Sequence, residues 1–394
     1  MKKELISILG YFGYANTGDE AILSCMLTKL RELKLDADFV VYSGNPEETT
    51  RTHNVAAVHN ILPTSVKSFL IRALGRNRKN FFETLRVFRR TTVFMVGGGG
   101  LFFDHPDSNV YLLELLTKIK RAKKYDKKVV LFGVGFGPVH LESSRRVLKV
   151  ILNRVDLITV RDEESRQLVE ELGIVQPDIH TTADFVYFLK RASDVQIDKI
   201  LEKERITLSR RPRIGLCLCC YSNEHPAWEK SLVAFCRHAL DNLEADLWFI
   251  PMQTGGGFDD RASARMIIDD LPNKDRIFSI EGQYSPQETM GLMARCNMIL
   301  GERFHGVILS LNNRVPVFGL SYKPKVERLF KEISHDDWFI REDDMTPEAL
   351  INGFQKIWNE KETLDDELQK GFKLLENKAL RNFTLLAERL QKKP

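Results

Sequence analysis

The sequence predicts an α/β fold in which parallel sheets are covered by helices and the chain divides into two domains. Three observations predict it. Short apolar runs alternate with amphipathic stretches in both halves, the pattern of strands joined by covering helices. The pattern restarts after a polar, charged stretch at 190–212 that closes on Arg210-Arg211-Pro212, a composition typical of linkers. A chain of 394 residues is also longer than one domain usually is, which favours two domains or one large α/β unit.

Taken in order, the apolar runs place strands at 5–9, 38–42, 92–96, 128–132, 157–160 and 179–181, then at 213–218, 246–250, 276–279, 298–300 and 315–318. Helical periodicity occupies the intervals, with helices expected at 19–33, 109–124, 142–154, 163–172, 227–243 and 286–296. The last segment, 363–393, spaces Leu364, Leu368, Phe372, Leu375, Ala379, Phe383 and Leu386 as one long helix. A terminal helix of that length can cross back over the first domain. No tandem repeat points to a solenoid.

Composition excludes several classes. With 58 Lys+Arg against 54 Asp+Glu the net charge is only +4, so no nucleic-acid coat is indicated. The excess is local: eight bases in 61–90 face only Glu83, a net +7 that leaves −3 for the rest of the chain. The six cysteines show no paired zinc-ligand spacing, and Cys217-Leu218-Cys219-Cys220 sits in an apolar run as small hydrophobes do. No window reaches the ~18 continuous apolar residues of a spanning helix. The opening Met1-Lys2-Lys3 passes straight into a strand and does not read as a secretory signal. A soluble, reduced, cytoplasmic protein is the expectation.

Chemistry concentrates where strands end. Gly10-Tyr11-Phe12-Gly13-Tyr14-Ala15-Asn16-Thr17-Gly18-Asp19-Glu20 joins the first strand to the first helix. It has neither a P-loop ending nor dinucleotide glycine spacing. The residues suit a helix cap at Asn16 or Thr17 and a ligand loop equally. Gly97-Gly98-Gly99-Gly100 follows the strand at 92–96, with Asp104 and His105 just beyond. Four successive glycines are conformationally expensive, which points to a close approach of something to the backbone. Gly133, Gly135 and Gly137 end another strand in the same way, and three such strand ends suggest a cleft. Arg161-Asp162 ends the strand at 157–160, either as an anion-gripping guanidinium or as a surface pair.

In the second half, Gly301-Glu302-Arg303-Phe304-His305-Gly306 lies between a strand and a helix, so Arg303 and His305 can converge on one ligand at a helix N-terminus. Ser321-Tyr322-Lys323-Pro324-Lys325 offers two amines, and Gly255-Gly256-Gly257 with Asp259 and Asp260 forms a further loop that either covers a ligand or merely turns. Trp228, Tyr221 and Phe102 are candidates to stack on sugar rings, although aromatics are more often core.

These motifs in this order resemble the polysaccharide pyruvyl transferase family. The match runs over about 4–335 and rests on Gly-Tyr-Phe-Gly-x-x-Asn-x-Gly-Asp-Glu from Gly10, the 97–101 run, Arg161-Asp162-x-x-Ser165, Tyr284-Ser285-Pro286, Arg303-x-His305 and Ser321-Tyr-x-Pro-Lys325. The resemblance implies a GT-B-like pair of Rossmann-type domains facing a central cleft: 1–195 on the acceptor side, 210–362 on the phosphoenolpyruvate side, and a terminal helix at 363–394. It implies phosphoenolpyruvate as donor substrate, with no other cofactor and no metal, and a sugar as acceptor. The donor would meet Arg161, Arg303, His305 and Lys325, with His305, Arg303 and Arg161 catalytic. The acceptor would meet Gly13, Asn16, Gly18, Asp19, Gly98, Gly99, Gly100 and Asp104, and Asp19 or Asp104 is the candidate base. A glycosyltransferase using a nucleotide sugar is the alternative on the same fold, and a non-enzymatic binding protein the third reading. In 61–90, Phe69, Leu70, Ile71, Leu74, Phe81, Phe82, Leu85 and Phe88 interleave with the bases. That pattern fits either a helix at an anionic bilayer surface, serving a lipid-carried saccharide, or an ordinary solvated face.

Overall fold

A computed structural model describes residues 3–220, 227–272 and 274–391. Two compact units account for the chain: Met1–Tyr14, Ile22–Phe185 and Leu375–Pro394 in the first, Ala15–Ala21 and Val186–Leu374 in the second. The stretch 190–212, expected to be the boundary, carries the helix Asp194–Lys203 within the second unit.

The first unit holds a seven-stranded sheet of β1 (Glu4–Leu9), β2 (Ala37–Ser43), β3 (Ala56–His59), β4 (Val93–Phe102), β5 (Lys128–Phe136), β6 (Leu157–Val160) and β7 (Asp178–Thr181), ordered β3-β2-β1-β4-β5-β6-β7. Every pairing is parallel, which is Rossmann winding with the switch point between β1 and β4. Helices cover both faces, so its central strands must be apolar throughout; Phe94, Met95, Val96, Val129, Val130 and Leu131 are all fully buried. The four glycines do not follow β4 as a loop. They extend it, pairing Gly97 with Phe132, Gly99 with Val134 and Gly100 with Gly135 on a β5 that is likewise lengthened. Chain packing explains two of them: a Cβ on Gly98 would lie 2.0 Å from Ile22 and one on Gly97 2.7 Å from Met26, so both let the first helix, Thr17–Glu32, settle on the sheet.

The second unit repeats the plan with β8 (Arg213–Cys217), β9 (Asp246–Phe249), β10 (Ile277–Ser279), β11 (Met298–Gly301), β12 (Val317–Ser321) and β13 (Phe339–Arg341), ordered β10-β9-β8-β11-β12-β13 and again all parallel. Its switch point falls between β8 and β11. Cys217 and Cys219 are buried in and just after β8, and Cys25, Cys236 and Cys296 are buried elsewhere; Cys220 is half-buried and all six thiols are unbridged.

The terminal helix, Asp365–Gln391, belongs to the first unit from Leu375 onward. There Asn382 is fully buried, accepting from Thr182 Oγ1 at 3.0 Å and donating to the Ala183 carbonyl at 3.2 Å, while Phe383 packs on Phe132 and Phe185. Among the described residues no helix is long and apolar enough to cross a membrane.

The basic stretch folds as two helices, Val66–Leu74 and Arg78–Arg90. Phe81 and Phe88 turn inward, which removes them from the surface expected of them. The first helix has no buried residue, and it leaves Val66 79%, Leu70 52%, Ile71 61% and Leu74 82% exposed beside Phe82 at 49%.

Candidate functional site

In the second unit the chain leaves β11 and starts the helix Phe304–Asn312 with Arg303 at its N-cap position. The turn is anchored by the Cys217 carbonyl, which accepts from both the Glu302 and Arg303 amides. Glu302 is buried and accepts from the Cys219 amide at 2.6 Å and from the Trp228 indole at 2.8 Å, so the end of β8 and the end of β11 are tied through one carboxylate. Trp228 is therefore core, not a sugar platform, and so is Phe102, which is fully buried and stacked on Phe136. Tyr221 lies outside the described residues.

The Arg303 guanidinium meets Asp260 through Nε at 3.0 and 3.2 Å and through Nη2 at 2.5 Å. The same carboxylate accepts the amides of Cys220, Met252 and Gln253, and its side chain is only 1% exposed. Burial works against the Arg303 charge, but Asp260 outweighs it and holds the guanidinium pKa above its ordinary value. Asp260 thus fixes where the arginine points. Lys325 stands with its ammonium 5.5 Å from the Phe304 ring and 5.6 Å from Tyr322, bringing a second cation to the same helix start. Nearby in sequence order, Ser285 caps Pro286–Met293 with Glu288, and Tyr284 donates to Glu204 at 2.5 Å; both have structural work.

The opening motif divides. Residues 15–21 belong to the second unit, where Thr17 donates to the Met252 carbonyl and Ala15 accepts from the Thr254 amide. Asn16 caps the first helix through Oδ1, 3.1 Å from the Asp19 amide, and bonds Gln253 through Nδ2 at 3.2 Å. Gly18 lies flat on the His305 ring: a Cβ there would stand 1.9 Å from Nδ1. Gly18, Asn16 and Asp19, expected on the acceptor side with the N-terminal domain, are thus brought to the unit that carries His305. The loop's partners in sequence are too distant to be seen from the motif alone. We expect Gly18→Ala to destabilise the fold by about 1–3 kcal/mol and to move the His305 ring resonances in a proton–nitrogen correlation spectrum. An unmoved ring would contradict the contact. A small pocket of about 40 Å³ in this unit is lined by Thr17, Glu20, Thr254, Gln283, Tyr284 and Thr289 among others.

In the first unit Arg161 follows β6 and its side chain is 8% exposed. Nη1 lies 3.4 Å from Asp184 and Nε 3.5 Å from Asp162. A Cβ on Gly135 would come 2.8 Å from Arg161 Nε and one on Gly100 3.5 Å from Nη2, so both glycine clusters clear room for this guanidinium. Asp162 caps the helix Glu163–Glu171 by accepting the Ser165 amide, and Ser165 Oγ accepts the Phe136 amide that ends β5. Every polar residue of the Arg161-Asp162-x-x-Ser165 motif therefore has a geometric role.

Asp104 does not behave as a base. It is buried, with Oδ1 2.6 Å from the His140 amide and Oδ2 3.1 Å from the Leu141 amide. Burial alone would raise its pKa, but these donors and Ser144 hold it below the ordinary carboxylate range. It anchors the turn before the helix Glu142–Leu152. Gly13, with φ +79°, sits against Ser43, where a Cβ would come within 2.1 Å of the hydroxyl. Asp260, Asp184 and Glu302 were not singled out as the holders of these cations and strand ends, since each is distant in sequence from the group it orients.

The polysaccharide pyruvyl transferase family matches the chain over residues 16–324. The amylovoran biosynthesis protein AmsJ of Erwinia amylovora is 22% identical over 374 residues, covering 83% of this chain and 86% of that protein. Among solved structures, Anabaena Alr3699/HepE in complex with UDP-glucose superposes with a TM-score of 0.65 at 12% identity over 99% of this chain and 100% of that one. A putative UDP-N-acetylglucosamine 2-epimerase from Listeria monocytogenes does so with a TM-score of 0.65 at 11% identity over 100% and 98%. At these identities the structural likeness establishes the fold, a GT-B-like pair of Rossmann-type units, and nothing further.

Proposed function

The chain belongs to the polysaccharide pyruvyl transferase family, and from that premise we propose that it moves the pyruvyl group of phosphoenolpyruvate onto two hydroxyls of a sugar, forming a ketal and releasing phosphate. One observation carries the reading: Arg303 and His305 occupy the first turn of a helix at the switch point of the second sheet, the arginine aimed by Asp260 and the imidazole by Gly18. A helix start with a guanidinium suits a ligand bearing both phosphate and carboxylate. Lys325 adds charge beside it. Arg161 is the further cation that the family resemblance assigns to the donor; within the first unit Asp184 and Asp162 hold it.

The chemistry then balances without another reactant. His305 protonates the methylene carbon of the enol, one sugar hydroxyl adds at the adjacent carbon, and the carbon–oxygen bond to phosphate breaks. The second hydroxyl closes the ring and both hydroxyl protons leave. Arg303 stabilises charge on the donor through the step. Asp19, in the first turn of its helix, is the remaining candidate base. The glycines at 13 and 98–100, all in the first unit, border the acceptor in this reading. Incubation with phosphoenolpyruvate and a panel of saccharides, free and lipid-linked, tests it. Phosphate release with a product heavier by one pyruvate less one water supports it, and transfer only from nucleotide sugars replaces it with the glycosyltransferase alternative.

The reading extends to where the enzyme works: at the cytoplasmic face of a membrane, on a lipid-carried saccharide. The exposed apolar side of Val66–Leu74, flanked by Arg72, Arg76, Arg78 and Lys79, supports this, because such a helix gains from both acyl chains and anionic headgroups. Reversing those four charges is expected to weaken sedimentation with phosphatidylglycerol vesicles by about a hundredfold or more. Binding that survives the reversal overturns the docking.

A further inference from the structure

We infer that a tyrosine-lined cavity in the first unit is a binding pocket for a neutral pyranose, and that it is the acceptor pocket of the reaction proposed above. The cavity has a volume of about 230 Å³ and is lined by Gly10, Tyr11, Tyr14, Tyr111, Glu114 and Lys118, among others. It opens at the carboxyl ends of β1 and β4, the switch point where ligands of wound sheets collect. A cavity of about 150 Å³ already holds a benzene ring, so this one admits a single pyranose ring.

The lining has the two features by which a sugar is recognised. Aromatic faces meet the C–H side of a pyranose, and here Tyr11 and Tyr14 stack on each other at 4.5 Å while Tyr111 is braced by Phe103 at 5.4 Å. Hydroxyls need fixed donors and acceptors, and the lining supplies an ammonium, a carboxylate and an amide: Lys118 Nζ lies 3.0 Å from Asn60 Oδ1 and 3.3 Å from Glu114 Oε1. Lys118 is the unusual member. Its side chain is 7% exposed, and burial lowers its pKa. A lysine is seldom buried unless paired, and Glu114 and Asn60 are the partners that hold this ammonium at the lining. Charges on the lining cancel, one cation against one anion, which favours an uncharged ligand over a phosphate or a uronate. Gly44 gives way to the Tyr14 ring, where a Cβ would stand 2.6 Å from Cε1.

This deepens the transferase reading and rests on it for the word acceptor, while the pocket itself is tested by binding. Saturation-transfer NMR on the full chain with methyl glucopyranoside and methyl galactopyranoside as probes is expected to saturate the pyranose protons of at least one. Tyr111→Ala, at a position 42% exposed, and Lys118→Met, which keeps the buried volume, are each expected to lower that signal at least fivefold with native circular dichroism. Val195→Ala, an exposed side chain in the other unit, should leave it unchanged. No saturation with either probe, or equal signals from wild type and both pocket variants, overturns the pocket. Sugar binding that depends on Tyr111 and Lys118 without phosphate release from phosphoenolpyruvate retires the transfer reading and keeps the pocket. Phosphate release indifferent to both residues does the reverse.

Discussion

Replacing His305 by alanine is expected to lower phosphate release from phosphoenolpyruvate by about 10²- to 10⁴-fold, the usual contribution of a positioned proton donor. The melting temperature should change little, because the ring borders Gly18 and its removal leaves room and no strain. Carbon protonation is slow without a nearby acid, and histidine is the side chain whose ordinary titration lies closest to neutrality. A His305→Ala protein that kept full turnover would remove His305 from the chemistry and leave Asp19 or another group as the acid. His305→Gln separates the two roles of the ring: it can still bond a ligand but cannot deliver a proton at neutral pH, so it should bind phosphoenolpyruvate and still fail to turn over.

The second large effect is at Asp260. Its carboxylate accepts three backbone amides and both nitrogens of one edge of the Arg303 guanidinium while almost wholly buried. Asp260→Ala leaves a buried guanidinium and orphaned amides together, and is expected to cost roughly 3–5 kcal/mol in denaturant unfolding. Asp260→Asn keeps most of the acceptors and loses the charge, so it should retain more stability and shift mainly the Michaelis constant for phosphoenolpyruvate. Loss of less than ~1 kcal/mol in the alanine variant would mean that Arg303 turns to solvent once released. In that case its aim is not set by Asp260.

The strands most plainly written in the sequence are those with buried β-branched and aromatic runs, such as Val93 to Val96 and Ile6 to Leu9. Their continuation was not legible. Glycine has no side chain to declare a strand, so Gly97 to Gly100 read as a loop although they pair along β5. β3 and β13 escaped for another reason: with four and three residues at sheet edges, they carry too little pattern to stand out. Arg161, Arg303 and His305 were visible because a strand end followed by a helix start marks them locally. Their orienting partners were not, since Asp260 lies 43 residues from Arg303 and Asp184 lies 23 from Arg161. The glycine loop at 10–18 showed that something must come close, but only the fold shows that the something includes a histidine of the other half. Lys118 was silent for the same reason, a lysine in a helix being ordinarily a solvated one.

The thiols have a practical consequence. Cys25, Cys217, Cys219, Cys236 and Cys296 are shut from solvent, and burial pushes the half-buried Cys220 thiol up to about 12, helped by the neighbouring Asp260. At neutral pH such a thiol is almost wholly protonated and slow to react with maleimide. The native chain therefore offers a low background for site-specific labelling. A single cysteine in place of Leu74, at 82% exposure, would accept an environment-sensitive fluorophore alone, and its emission would report directly whether that helix enters a bilayer.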